Sequence, residues 1–133
     1  MPRTNTQPID ELLKNWEEVY KKGLLTFWIL LLLHERSAYA YEMSAAISEV
    51  SEGMVLADEN SMYRALSRFE GMGLVKSERR QSNVGPQRRY YTLTGTGLAL
   101  LREFIRRNIL VFQAPAVAER IEAVLNEHPS TAK

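Results

Sequence analysis

The residues of this chain best equipped for chemistry are arginines. Between Ser61 and Tyr91 lie seven basic residues (Arg64, Arg68, Lys76, Arg79, Arg80, Arg88, Arg89) and two acidic ones (Glu70, Glu78). That segment therefore carries +5, while the 133-residue chain carries +1, which leaves −4 for the remainder. A one-signed patch on a mildly acidic protein is the electrostatic footprint of a polyanion site, although the near-neutral total is a weak footprint for a nucleic-acid binder. Arginine pairs bidentately with guanine or phosphate, and asparagine can pair with adenine. Acid–base and metal chemistry find no comparable set. Of the two histidines, His34 ends an apolar run and reads as a helix-end residue, and His128 sits in the C-terminal tail. No Ser/His/Asp set, metal-ligand cluster or glycine-rich phosphate loop is present, so neither catalytic nor metal residues are assigned.

Two elements must position the arginines. The first is a helix over 59–71, capped by Asp58 and stopped near Gly71 or Gly73. At 100° per residue, Met62, Leu66 and Phe69 share one sector with Ala65 beside them, which makes the buried stripe. The opposite sector holds Asn60, Arg64, Ser67 and Arg68, flanked by Tyr63 and Ser61, with no carboxylate until Glu70. An acid-free start suits a helix whose N-terminal end approaches phosphate. Taken alone, this face also suits an ordinary solvated helix. The second element is a β-hairpin over 74–94, because "LVKSERRQ" and "QRRYYTLT" alternate and flank the turn sequence "SNVGP". Its tip gathers Arg79, Arg80, Arg88 and Arg89, a repulsion that a phosphate backbone would offset. Alternation turns Tyr91 and Leu93 to the core and Tyr90 and Thr92 away from it.

The other elements follow from period and punctuation. Residues 1–8 form a loose polar arm without the basic-then-apolar order of a signal peptide. Ile9, Leu12, Leu13, Trp16, Val19 and Tyr20 line an amphipathic helix that Gly23 interrupts or bends. Leu24 to about Arg36 is a core helix, and its apolar run is about half the ~20 residues a membrane span needs. Ser37 caps a helix from Ala38 to about Glu52, with Tyr41, Ala45 and Ile47 or Val50 inward and Gly53 at its end; "MVLA" is a small strand or a turn. Thr94 caps a helix from Gly95 to Phe112 or Gln113. Pro115 breaks or kinks it and opens a last helix with Val117, Ile121, Val124 and Leu125 as its stripe. Residues 127–133 fray. The absence of cysteine excludes disulfides and fits a cytoplasmic, reducing setting. Three helices followed by a hairpin make a mainly α fold with a small β-hairpin wing: a winged helix-turn-helix over 9–94, with terminal helices at 95–126.

The order and spacing of "KKGLL…ILLLL", "YAYEM", "SMYRALSRFEGMGLV" and "GPQRRYYTLTGTG" resemble the PadR family of transcriptional regulators, over Lys21 to Gly97. The resemblance implies a dimeric winged helix-turn-helix repressor whose third helix enters the major groove while the wing meets backbone or minor groove. Ser61, Tyr63 and Arg64 match the helix part of the family motif, and Gly85, Arg88 and Arg89 match the wing. Two positions depart from it. Ala40 replaces the usual glycine before Tyr41, which bears on packing of the second helix, and Asn60 replaces a residue that is often small, which bears on operator preference.

The expected DNA-facing set is thus Asn60, Ser61, Tyr63, Arg64, Ser67, Arg68, Lys76, Gly85, Arg88, Arg89 and Tyr90, on a near-palindromic double-stranded operator. The helix from Gly95 carries more apolar surface than one neighbour can cover, so a homodimer is expected through Leu12, Trp16, Leu98, Leu101, Phe104, Ile105, Ile109 and Phe112. Trp16, Trp28 and Phe104 could line a pocket for a small aromatic effector in or near the dimer interface, as the resemblance allows, although packing explains each more simply. No cofactor and no membrane partner are expected. The rival reading is a winged-helix module that binds protein without specific DNA recognition.

Overall fold

The first helix continues through Gly23. In the computed structural model, which describes residues 8–82 and 85–127, α1 spans Ile9–Glu35 without a break. This corrects the expected interruption. A lone glycine costs a helix only about 1 kcal/mol, and the apolar turns that follow repay it by burial. Ile29, Leu30, Leu32 and Leu33 are all buried. The first half of α1 is different, since Ile9, Leu12, Leu13, Trp16, Val19 and Tyr20 are all exposed.

The next helix starts later than its sequence suggests. Ser37 does not cap it, because its hydroxyl pairs with that of Thr92 at 2.7 Å. Ala38 forms a bridge with Tyr91, its N–H reaching the Tyr91 carbonyl at 3.2 Å and its carbonyl accepting from Tyr91 N–H at 2.8 Å. Helix α2 is therefore Ala40–Val50, preceded by an extended Tyr39 whose N–H reaches the Glu42 carboxylate at 3.3 Å. The buried face changes accordingly. Ala40, Met43 and Ile47 point inward, while Tyr41, expected in the core, is 61% exposed, as it must be at roughly 200° from Met43. Ala45 and Val50 are exposed as well. Past the helix end, Glu52 and Gly53 take positive φ, and Gly53 N–H closes on the Ser48 carbonyl at 2.7 Å. "MVLA" is a turn, held by Val55 N–H on the Ser51 hydroxyl at 3.0 Å and by Ser44 Oγ on the Ala57 carbonyl.

Helix α3 occupies Glu59–Gly71, as its pattern predicts, with Met62, Ala65, Leu66 and Phe69 buried. An antiparallel hairpin follows, β1 Val75–Ser82 and β2 Gly85–Leu93; its tip at 83–84 lies outside the described residues. Gly85 has φ +141, a conformation other residues rarely adopt, so its first role is to shape the turn. Tyr91 is 1% exposed at the hairpin base, and burial pushes its hydroxyl pKa above the ordinary tyrosine value. Thr94 caps α4 (Gly95–Phe104) by accepting from Gly97 N–H at 3.1 Å. Gly97 is required there, because a Cβ would collide with the Leu74 carbonyl oxygen.

The chain resolves into two compact units, residues 1–98 and 99–133. The core of the first comprises α1's second half, α2, α3 and the hairpin base. In the second, the expected continuous helix to Phe112 or Gln113 is replaced by a π-helical stretch, Ile105–Ile109, and a 3-10 turn, Leu110–Gln113. Ala114 is extended, and Pro115 stands at the first position of α5, Pro115–Asn126. The proline thus separates two helices rather than kinking one, since Ala114 is pushed out of helical geometry. No residue of α5 is buried.

Candidate nucleic-acid interface

With its stripe buried, α3 is left with one free face. Asn60, Tyr63, Arg64, Ser67 and Arg68 are exposed and Ser61 partly so, as the wheel predicts. Their chemistry is already partly engaged within the helix. Asp58 Oδ1 accepts from Ser61 N–H at 2.7 Å. That backbone bond, with help from the Ser61 hydroxyl and the Arg64 charge, holds the Asp58 carboxyl below its ordinary pKa. Arg64 Nη2 reaches back to Ser61 Oγ at 3.4 Å, and the Arg68 guanidinium lies 5.3 Å from the Phe69 ring centroid. One expectation fails here. The start of α3 is not acid-free, because Asp58 caps it and Glu59 stands exposed in its first turn. Phosphate would meet carboxylates at that end, and the Ser61 amide is already bonded.

The hairpin presents the opposite case. Its register sets Arg79 across from Arg89 and Arg80 across from Arg88. Directly opposed residues share a face, so each face of the ribbon bears an arginine pair. Arg80 is relieved by Glu78 at 2.8 Å and lies 4.6 Å from the Tyr90 ring centroid. Arg89 donates to Ser77 Oγ at 3.0 Å, and Ser77 donates to Glu70 at 2.7 Å, which ties the strand to the end of α3. Arg88 donates through Nη1 to the Tyr39 hydroxyl, and its guanidinium lies 4.5 Å from that ring's centroid. Tyr39 in turn packs edge-on against Tyr90 at 5.2 Å. Lys76 is exposed opposite Thr92.

Between the two elements lies an open cavity of about 510 Å³, lined by Tyr39, Ala40, Tyr41, Glu59, Tyr63, Gln87, Arg88 and Arg89. Of the expected residues it gathers Tyr63, Arg88 and Arg89; Asn60, Ser61, Arg64, Ser67, Arg68, Lys76, Gly85 and Tyr90 are not in its wall. Tyr39, Tyr41, Glu59 and Gln87 line it without having been expected. The aromatic pair of "YAYEM" was a usable signal, concealed by placing the helix start at Ala38.

Other expected sites fare differently. Trp16 and Trp28 sit on one helix twelve residues apart, about 18 Å along its axis, so they cannot line one small pocket in a single chain. Phe104 belongs to the second unit. Leu101, expected at a dimer surface, is 4% exposed and has little area left to offer. Among the described residues no group of three or more metal-ligating side chains is assembled, and no helix is long and apolar enough to cross a membrane.

Comparison with known proteins agrees with this geometry. The profile described as "Transcriptional regulator PadR-like family" matches residues 29–103. A PadR-like transcriptional regulator from Bacillus cereus is 28% identical, with 80% of this chain and 96% of that one covered at a TM-score of 0.61. A PadR family transcription regulator from Clostridium difficile is 29% identical, with 74% and 99% covered at 0.60. Bacillus subtilis PadR, solved in complex with operator DNA, shares the fold at 21% identity and a TM-score of 0.59, over 64% of this chain and 48% of that one.

Proposed function

The chain belongs to the PadR-like family of transcriptional regulators, a family of regulators and not of enzymes, and from that premise we propose that it binds double-stranded DNA sequence-specifically and represses transcription. Helix α3 enters the major groove, and the β1–β2 hairpin meets the phosphate backbone or minor groove as the wing. The observation that carries this reading is the cross-strand opposition of two arginine pairs, Arg79 with Arg89 and Arg80 with Arg88, on a short hairpin. Such opposition destabilises a free hairpin and is relieved by a polyanion. Arg64, central on the free face of α3, is the candidate base reader, while Arg68, Lys76, Arg88 and Arg89 are candidate phosphate contacts.

The protein acts as a homodimer. Uncovered apolar residues support this, notably Trp16 at 75% exposed on α1, together with Phe112 and the apolar residues of α5. Two reading helices about one DNA turn apart then call for a near-palindromic site. Light scattering at micromolar concentration should give twice 15.3 kDa; a monomer would refute the dimer. The site for an aromatic effector lies between protomers and not within one, given the separation of Trp16 and Trp28 on α1.

The test is a gel shift against the DNA upstream of the protein's own gene, with salt varied. Specific retardation that weakens steeply with salt is expected. Failure to shift any fragment at low salt would favour the protein-binding reading, for which the low net charge and the Glu59 carboxylate in the cavity speak.

A further inference from the structure

Among the described residues, Arg88 is the one hairpin arginine held by a residue from outside the hairpin and outside α3, and that residue is well fixed. Tyr39 is pinned on three sides. Its N–H bonds the Glu42 carboxylate, which also pairs with Arg36 at 3.4 Å. Its neighbour Ala38 is bridged by two backbone bonds to Tyr91, which is itself buried. Its ring meets Tyr90 edge-on. The bridge brings Tyr39 beside Tyr90 on the face that carries Arg80 and Arg88. Arg88, Tyr39, Tyr90 and Arg80 therefore form a continuous stack, cation on ring, ring on ring and ring under cation.

We propose that Tyr39 is a positioning residue: by accepting a hydrogen bond from Arg88 and lying under its guanidinium, it sets the wing arginine in its binding direction before any ligand arrives. The proposal rests on the DNA-binding reading above and specifies how the wing works within it. One bond to Tyr39 uses one of five guanidinium N–H groups, so the others remain available to a phosphate at the cavity wall. A free arginine side chain loses considerable rotamer freedom when a ligand immobilises it. On a side chain already held, that loss is taken during folding, and affinity rises without a new contact.

The distinguishing measurement compares charge with order. Arg88→Ala removes a charge, so affinity should fall and the dependence of log affinity on log salt should flatten by about one. Tyr39→Leu leaves the charge in place. It should lower affinity roughly three- to tenfold with the salt dependence unchanged, a size suited to one cation–π contact and one hydrogen bond. Tyr39→Phe keeps the ring and should recover part of the loss. The double variant Tyr39→Leu/Arg88→Ala should bind no worse than Arg88→Ala. In the DNA-free protein, the Arg88 Nε–H order parameter measured by NMR should be high in the wild type and fall in Tyr39→Leu. A melting curve checks that the leucine variant is folded; if it is not, Tyr39→Phe with its order parameter carries the test. Loss of affinity in Arg88→Ala with none in Tyr39→Leu, or additive losses in the double variant, overturns the positioning role alone. Unchanged affinity in Arg88→Ala overturns the wing contact and the positioning role together.

Discussion

On α3, Arg64 bonds Ser61 in the turn below it and Arg68 lies along Phe69. On the hairpin, Arg79 faces Arg89 and Arg80 faces Arg88. The helix would fold as it does with or without a ligand, because its capping aspartate and its stripe of Met62, Leu66 and Phe69 account for it fully. The hairpin keeps like charges opposed, and Glu78, Ser77, Tyr39 and Tyr90 relieve that only in part. Charge that a fold explains says little about function. Charge that a fold must tolerate says more, so the wing is stronger evidence for a polyanion than the helix that would read it.

Four substitutions would break or sharpen that contrast. The largest effect should come from Gly97→Ala. The added methyl meets the Leu74 carbonyl at the base of the hairpin, and stability measured by urea titration should fall by about 3 kcal/mol. Next is Arg64→Ala, expected to weaken a specific operator by about 1–3 kcal/mol while leaving non-specific DNA nearly unaffected, as anisotropy titrations would show. Equal losses on both DNAs would make Arg64 a phosphate contact and α3 no different in kind from the wing. Asp58→Ala removes the cap and should lower Tm by about 4 °C at neutral pH. Because folding depresses the Asp58 pKa below 3.8, its contribution is complete above that value and is lost as pH falls through the folded value. The gap between wild type and variant should therefore narrow in acid. The smallest effect is the most direct test of the comparison. Arg79→Thr should raise the stability of the DNA-free protein by about 0.5 kcal/mol while weakening DNA binding. A loss of stability instead would mean that the hairpin arginines are structural.

Sequence period served best where one face is buried and the ends carry distinct caps. Helix α3 meets both conditions, and its bounds and stripe match the pattern. The hairpin was legible because alternation and its turn residues agree. Where the sequence misled, a distant partner decided. Nothing local shows that Ala38 will bridge to Tyr91, yet that bridge delays α2, turns Tyr41 outward and brings Tyr39 to Arg88. Gly23 has a real helical penalty that burial a turn away outweighs. The π-helical stretch at Ile105–Ile109 has no punctuation in the sequence at all. The cavity wall was half legible: Arg88, Arg89 and Tyr63 were expected there, whereas Tyr41 read as core and Tyr39, placed inside a helix starting at Ala38, did not stand out.

The bridge at Ala38 has one more effect. It covers β2 at Tyr91, while no strand pairs with the outer side of β1 among the described residues. An open strand edge invites addition of a strand from another chain, and charged residues along it discourage that. Lys76, Arg79 and Arg80 lie along β1, so the repulsion that weakens the hairpin also guards it against self-association. Variants that neutralise these positions should be handled as aggregation-prone, even where they melt at a higher temperature.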